Sequence, residues 1–175
     1  MSWVSSLMPL AALFGGLCGG SLIEHLGRKS TILLMNILLL LAWIVNYNSK
    51  EHWHLYFSRI TNGIGVGIVS LSLPVYLAET LQPEVRGSLG LMPSVFGNLG
   101  ILICFTAGIF YQWRGLALIG LILSLPFFLL IWWIPETPIY LLSKGSAEKS
   151  KKALRWLRGP DPNNDKEFFT MRGKP

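Results

Sequence analysis

The chain has 175 residues, of which 51% are hydrophobic and only 14% are charged, and its formal net charge is +6. Because a typical soluble domain has about 25% charged residues, this composition argues against a water-soluble helical bundle. The positive charge is concentrated after residue 143, where a membrane flank explains it, so no nucleic-acid partner is predicted.

Uncharged stretches divide the first 135 residues into segments that are near the roughly 17–25 residues needed to cross a bilayer as a helix. In lipid every backbone polar group must be paired within the protein, so helices are the predicted spanning form. The fold class predicted is therefore an all-α membrane protein, a helical bundle of about five transmembrane helices within residues 1–135. The predicted spans are residues 3–23, 31–47, 58–77, 89–111 and 116–134.

The composition changes after Pro135, where charged and polar residues become frequent. Ser146 is predicted to cap a helix that Gly159-Pro160 terminates. This helix carries an apolar stripe with basic residues around it, which predicts an amphipathic helix at the cytoplasmic membrane face within residues 136–159. Residues 160–175 are predicted to form a disordered tail. The stripe consists of Ala153, Leu154, Trp156 and Leu157.

The distribution of Lys and Arg predicts the orientation of the chain in the membrane. Twelve of the 15 lie between the first two spans, between the third and fourth, or after the last. Cytoplasmic flanks carry the excess of these residues, so these segments, including the C-terminal tail, are predicted to be cytoplasmic. The N-terminus would then lie outside, and this odd topology predicts that an earlier helix is missing.

Polar residues within the spans are the first candidate site. The candidates in the fourth predicted span are Ser94, Asn98 and Thr106, of which Ser94 and Asn98 are four residues apart and share a helix face. Their hydroxyl and amide groups can pair with a hydroxyl-rich substrate. Hydrogen bonding between helices is the alternative. Pro93 is one of the prolines predicted to kink spans, as in helices that line substrate paths. Arg59 either snorkels to the outer interface or contacts a cavity or gate.

Charged residues at the ends of the predicted spans form the second candidate site. Opposite charges at helix ends can hold helices together while one side of a pore is closed, and release them as it opens. The alternative is solvated surface charge of little energetic value. The charged residues of this site are Glu24, Arg28, Lys29, Glu79 and Arg86.

The sequence has no phosphate-binding loop of P-loop spacing, no Gly-x-Ser-x-Gly and no His-Glu-x-x-His, so neither an enzyme nor a cofactor is predicted. Cys18 and Cys104 lie in predicted spans and are interpreted as small apolar residues. The three histidines, His25, His52 and His54, are weak candidates for metal ligands or for a pH sensor, and no metal site is predicted.

Several motifs resemble, in order and spacing, the sugar porter branch of the major facilitator superfamily. The motif that begins at Gly20 is similar to the cytoplasmic signature between helices 2 and 3 of that branch. The motifs that begin at Arg59, Pro74 and Arg86 are similar to helices 4 and 5, and the one that begins at Pro135 is similar to the motif after helix 6. Within that branch, residues 91–94, 97–102 and 153–159 resemble insect facilitated trehalose transporters. The five motifs are Gly20-x-x-x-Glu24-x-x-Gly27-Arg28-Lys29, Arg59-x-x-x-Gly63-x-Gly65-x-Gly67, Pro74-Val75-Tyr76-Leu77-Ala78-Glu79, Arg86-Gly87 and Pro135-Glu136-Thr137-Pro138.

The resemblance implies that the chain is an incomplete N-terminal half of this fold, helices 2 to 6 of twelve. Helix 1 and the C-terminal half are then expected in the full-length protein. Family members rock two six-helix halves around a central sugar site. The implied function is facilitated diffusion of a sugar, trehalose or hexose-like, across the cell membrane by alternating access. The alternative is a transport-incompetent truncated membrane fragment, or a regulatory partner of full-length carriers.

By the same resemblance, Glu24, Arg28, Glu79, Arg86 and Glu136 belong to a cytoplasmic charge clasp, and the helix after residue 146 is an intracellular gate helix. The sequence departs from the family pattern at several positions. Glu24 replaces the usual Asp, Thr61 an aliphatic residue, Ile139 an Arg of the clasp, and Ser94 a sugar-binding Gln.

Overall fold

The structure, a computed structural model, describes residues 2–159 and 168–170, with side chains from residue 6 onward. The predicted disorder of residues 160–175 falls on residues outside this description, except that residues 168–170 are helical. The helices are α1 (Ser2–Leu26), α2 (Arg28–Tyr47), α3 (His52–Thr80), α4 (Pro83–Gly90), α5 (Met92–Phe110), α6 (Trp113–Trp133), α7 (Pro138–Ser143) and α8 (Ala147–Arg158).

Five helical segments are long and apolar enough to cross a membrane, with α4 and α5 together forming the fourth. Their surfaces expose many large apolar side chains, and soluble proteins rarely expose apolar surfaces of this extent to water. Ile109 and Phe110 are each 78% exposed, and Trp133 is 82% exposed. The all-α membrane bundle predicted from the charge-free stretches is confirmed.

The helices extend beyond their predicted ends. The first loop, predicted at residues 24–29, is reduced to Gly27, and α3 begins six residues before the predicted start at Ser58. The segment before the fourth span, predicted as a loop to residue 87, contains α4, and a turn at Leu91 separates α4 from α5. Pro93 lies at the start of α5 instead of interrupting a helix. Charged residues continue helices past the bilayer because intrahelical hydrogen bonds do not require an apolar environment.

The closest helix pair is α1 against α3, and glycines on both helices permit the contact. A β-carbon at Gly63 would meet the carbonyl oxygen of Met8, and one at Gly67 would meet that of Ala12. On α1, Gly15 faces the backbone of α3, whereas a β-carbon at Gly20 would have no neighbour within 4 Å among the described residues. Small residues thus allow backbone packing where lipid offers no hydrophobic drive.

The remaining bundle is built around one end of the membrane-spanning helices. Ile32, Tyr76 and Ile131, from α2, α3 and α6, form a buried cluster with Leu33, Leu73, Phe127 and Ile134 packed around it. By contrast, none of the residues of α4 and α5, all within the described part of the chain, is buried. Therefore α5 presents nearly its whole surface to lipid or to other polypeptide.

The amphipathic segment forms two short helices, α7 and α8, packed on each other. The apolar stripe of α8 is partly confirmed: Ala153 and Leu154 are buried, whereas Trp156 is 60% exposed. The buried Ser150 hydroxyl donates to the Pro138 carbonyl at 2.8 Å. Ser146 occupies the N-cap position, but its side chain makes no capping hydrogen bond in the structure as described, so that part of the prediction is wrong.

Candidate functional site

A tight turn at Gly27 joins α1 to α2. Its φ of 97° lies in the region that favours glycine. A β-carbon there would approach the carboxylate of Glu136 and the ring of Tyr140. Glycine is therefore required at this position for two reasons, the backbone conformation and the closeness of the segment that follows α6.

Glu136 closes the start of α2. Its carboxylate accepts from the backbone N–H of Lys29 at 2.9 Å and of Ser30 at 3.3 Å, and from that of Thr137 at 3.1 Å. Gly27 has no side chain to cap α2, so a residue from beyond α6 supplies the missing acceptor. A negative charge here also complements the positive end of the helix dipole.

Arg28 and Glu79 form an ion pair between α2 and α3. Nε and Nη2 of Arg28 both donate to Oε1 of Glu79, at 3.0 and 2.7 Å. The two side chains are only 16% and 14% exposed, so water screens the pair weakly. The Arg28 guanidinium also lies over the Tyr140 ring, 5.4 Å from its centroid.

Two tyrosines and an arginine that the sequence prediction did not include connect further segments at this end. The hydroxyl of Tyr140 donates to the His25 carbonyl at 2.8 Å, and that of Tyr76 donates to the Pro135 carbonyl at 2.9 Å. Arg158 donates to the Thr80 carbonyl at 2.8 Å, which ties α8 to α3. Nothing in the spacing of these residues signals their partners, because each acceptor is a backbone carbonyl distant in sequence.

Two residues of the predicted clasp remain at the surface, and Lys29 joins the cluster. Glu24 is exposed on the last turn of α1. Arg86 is exposed on α4, and its guanidinium donates to the Leu81 carbonyl at 3.3 Å. Lys29 donates through Nζ to the Trp132 carbonyl at 3.0 Å. The structure thus brings Gly27, Arg28, Lys29, Glu79 and Glu136 together and leaves Glu24 and Arg86 outside that cluster.

A cavity of about 730 Å³ lies toward the opposite end of the bundle. Arg59 lines it, beside the indole rings of Trp43 and Trp113 and the amides of Asn46 and Asn62. Asn62 is buried, and its side-chain oxygen has no hydrogen-bond partner among the described residues. An amide within a predicted span was an available signal for this polar wall, and the sequence prediction did not use Asn62.

Pro93, Ser94 and Asn98 do not join Arg59. They lie in the first third of α5, and neither this cavity nor the smaller one described below includes them. Arg59 lies in the first third of α3, which crosses in the opposite direction, so the two groups are at opposite ends of the bundle. Ser94 and Asn98 are both exposed on the uncovered surface of α5, and their substrate contact stays a prediction.

Solved structures share this arrangement of helices. The proton:xylose symporter XylE bound to 6-bromo-6-deoxy-D-glucose superposes with a TM-score of 0.83 at 20% identity, over 97% of this chain and 42% of that chain. The inward-open conformation of XylE from E. coli superposes with a TM-score of 0.81, also at 20% identity, over 44% of that chain. At this identity the likeness shows the fold, an N-terminal part of a major facilitator superfamily bundle.

Curated relatives are closer in sequence. The facilitated trehalose transporter Tret1 of Polypedilum vanderplanki is 52% identical over 167 residues, which are 95% of this chain and 33% of that protein. Tret1 of Aedes aegypti is 50% identical over 167 residues, 21% of its length. The chain therefore spans at most about a third of these two relatives. The profile of the family described as "Sugar (and other) transporter" matches residues 1–174, and the chain belongs to that family.

Proposed function

We propose that the protein containing this chain carries a sugar, with trehalose as the first candidate, across the membrane by facilitated diffusion with alternating access. The observation that carries the proposal is the 52% identity to a facilitated trehalose transporter across 95% of the chain. No covalent chemistry is required, because the substrate moves down its gradient while helices rearrange around it.

The polar wall around Arg59 supports this proposal. Indole faces cover sugar rings, and amides pair with sugar hydroxyls, so Trp43, Trp113 and Asn62 supply the right chemistry. Asn62 has an unused acceptor that a hydroxyl can satisfy. We propose that Pro93, Ser94 and Asn98 make a second set of contacts with the substrate. These residues lie on α5, none of whose residues is buried within the described chain.

The charged cluster at the Gly27 turn has a different proposed role from the gate expected from the sequence. Arg28 pairs with Glu79, and Glu136 accepts from the start of α2, so these residues join α2 to α3 and to the segment that follows α6 as one body. A body that stays intact can rock against another without losing its own packing. Exposed Glu24 and Arg86 are then the residues proposed to contact the remainder of the carrier.

The alternative function is a membrane fragment that cannot transport alone. The observation in its favour is that α5 has no buried residue in the described chain, so a closed substrate passage is not formed by these helices. We propose further that the C-terminal tail is cytoplasmic, as the distribution of Lys and Arg favours.

A chimera tests the proposal. The 167 residues that match this chain in the Polypedilum vanderplanki transporter are replaced by this chain, and uptake of labelled trehalose and glucose is measured in cells that lack trehalose uptake. We expect the chimera to carry trehalose and the isolated chain to remain at the background rate. A chimera that reaches the surface at normal abundance but moves neither sugar contradicts the proposal.

The chimera also tests the α5 contacts. Ser94→Ala and Asn98→Leu are each expected to raise the KM for trehalose roughly five- to tenfold, since each removes about one substrate hydrogen bond. Thr106→Val on the same helix is the matched control, because the Thr106 hydroxyl already donates to the Leu102 carbonyl at 2.8 Å. An unchanged KM in both α5 variants contradicts the assignment of these residues.

A further inference from the structure

A second cavity, of about 330 Å³, opens where the membrane-spanning helices meet α7 and α8. It lies between the start of α2, the end of α6, and the two short helices. Its lining combines basic, aromatic and aliphatic side chains. The lining residues are Lys29, Trp133, Ile134, Pro135, Leu141, Lys149, Lys152, Ala153 and Trp156, and we name this site the lysine cleft.

Three lysines from two separate helices line the lysine cleft. Lys149 and Lys152 come from α8, and Lys29 comes from α2. Lys29 uses one N–H on the Trp132 carbonyl, and an ammonium group has three, so donors remain for a ligand. Among the described residues that line the cleft there is no carboxylate.

Two described acidic residues adjoin the cleft lining in sequence, and neither belongs to that lining. Glu136 precedes α7, but its carboxylate accepts from the backbone at the start of α2. Glu148 is adjacent to Lys149 in sequence, is exposed, and is not part of the lining. The described lining therefore carries an excess of positive charge, and the complementary ligand is an anion with several acceptor oxygens.

The other walls place this anion at a membrane surface. Trp133, the last residue of α6, is 82% exposed, and Trp156 on α8 is 60% exposed. Exposed indoles at the end of a membrane span are typical of the headgroup level of a bilayer. Ile134, Pro135 and Leu141 add an apolar surface that suits a glycerol backbone and the first acyl carbons.

We propose that the lysine cleft binds the headgroup of an anionic phospholipid, with its phosphate among Lys29, Lys149 and Lys152 and its glycerol against the indoles. Basic pockets between membrane helices on the cytoplasmic side suit such headgroups. The bound lipid connects α8 to the ends of α2 and α6, so it reinforces the attachment of the amphipathic helix. The proposal is independent of whether the protein transports a sugar.

Native mass spectrometry of the full chain in detergent tests the proposal, with phosphatidylserine and phosphatidylcholine as alternative probes. We expect preferential retention of one phosphatidylserine molecule. The pair Lys149→Gln and Lys152→Gln is expected to weaken that binding about tenfold, since basic residues near a lipid surface each contribute a several-fold effect. Phosphatidylcholine binding equal to that of phosphatidylserine would overturn the proposal.

The matched control is the pair Lys144→Gln and Arg155→Gln, which removes the same charge from exposed positions outside the cleft. It is expected to change phosphatidylserine binding by no more than about twofold. An equal loss in both pairs would show a diffuse basic surface, and displacement by soluble glycerophosphoserine as effective as by the lipid would show a site for free anions. Either result overturns the lipid assignment.

Circular dichroism verifies that the variants keep their helices. If the double substitution lowers helicity, the single substitution Lys152→Gln at an exposed position replaces it, with an expected loss of about fourfold. The pair Lys149→Arg and Lys152→Arg keeps the charge and is expected to retain phosphatidylserine. Loss of phosphatidylserine binding in this Arg pair, while the control pair Lys144→Gln and Arg155→Gln keeps its binding, contradicts an electrostatic headgroup site.

Discussion

At the residue scale, the strongest interactions join residues that are far apart in sequence. Arg28 and Glu79 are separated by 51 positions, and Glu136 accepts from Lys29 across 107 positions. Each satisfies a group that would otherwise be buried without a partner, the guanidinium in one case and the start of α2 in the other. Their energetic value therefore exceeds that of exposed pairs made of the same residue types.

The ion pair is expected to show measurable coupling. A double-mutant cycle with Arg28→Ala and Glu79→Ala should give an interaction energy of about 1–3 kcal/mol, because both side chains are largely shielded. The measurement is the free energy of unfolding in detergent. The matched cycle with Glu24→Ala and Arg86→Ala, both exposed, should give about 0.5 kcal/mol or less. Equal coupling in the two cycles would contradict the distinction made here.

The glycine contact between α1 and α3 makes a second prediction at this scale. Gly67→Ala should lower the free energy of unfolding by about 1–3 kcal/mol, because the added methyl group meets backbone atoms of α1 that cannot move aside. Gly20→Ala, where the same methyl group meets open space, should be neutral or slightly stabilising. Denaturant unfolding followed by circular dichroism compares them, and similar losses would contradict the packing.

At the scale of the elements, α5 and α8 differ in how they are held. Helix α8 is amphipathic and attached through Leu154, which is 1% exposed, through Ser150 and through Arg158. Helix α5 is predominantly apolar and has no buried residue among its described positions. An apolar helix is stable in lipid without a partner, whereas a short polar helix depends on docking to stay folded.

Removing the main apolar contact of α8 should therefore release it. Leu154→Ala is expected to accelerate tryptic cleavage within α8 at least about tenfold, since Leu-to-Ala changes at buried sites cost about 2 kcal/mol or more. Mass spectrometry of timed digests in detergent identifies the cleavage sites. Trp156→Leu, at an exposed position on the same helix, should leave the rate nearly unchanged. Unaltered cleavage of the Leu154 variant contradicts the docking.

At the scale of the whole molecule, most of the basic residues and the clustered contacts between helices lie at the same end of the bundle. The cluster around Gly27, the lysine cleft and the two short helices all lie at one end, while Arg59 and the larger cavity lie toward the other. Most of the Lys and Arg residues in the described part of the chain fall at the first end, which the excess of these residues on cytoplasmic flanks predicts to be cytoplasmic. The uncovered surface of α5 faces sideways from this axis and completes no passage by itself.

The predicted orientation of the two ends in the membrane determines which introduced cysteines should be labelled from outside the cell. In a background with Cys18→Ser and Cys104→Ser, Lys50→Cys should react with a membrane-impermeant maleimide on intact cells. Lys144→Cys should react only after permeabilisation, because it lies at the opposite end; both positions are exposed in the structure. Labelling is read by a mass shift on a gel. The reverse pattern would contradict the proposed orientation.

The site residues differ in whether a local sequence motif predicts their partners. The motifs predicted that Arg28, Glu79 and Glu136 belong to a charge clasp. In the structure Arg28 pairs with Glu79, whereas Glu136 accepts from the backbone at the start of α2, and the clasp itself stays a prediction. Tyr140 and Tyr76 were missed because their partners are backbone carbonyls, which carry no sequence signal. The separation of Arg59 from Ser94 follows from the alternating direction of the helices, which a list of polar residues does not contain.

The class of the protein, its five membrane spans and the uneven distribution of its charge are predictable from the amino-acid sequence, because transfer of side chains into lipid is a local property of each segment. The three-dimensional packing was needed to show that Gly15 and Gly63 lie at a helix contact, whereas a β-carbon at Gly20 would meet no described atom within 4 Å. It alone also placed Glu136 at the start of α2 and three lysines around one cleft. Contacts between distant segments depend on how helices cross and rotate, and that geometry results from packing over the whole bundle.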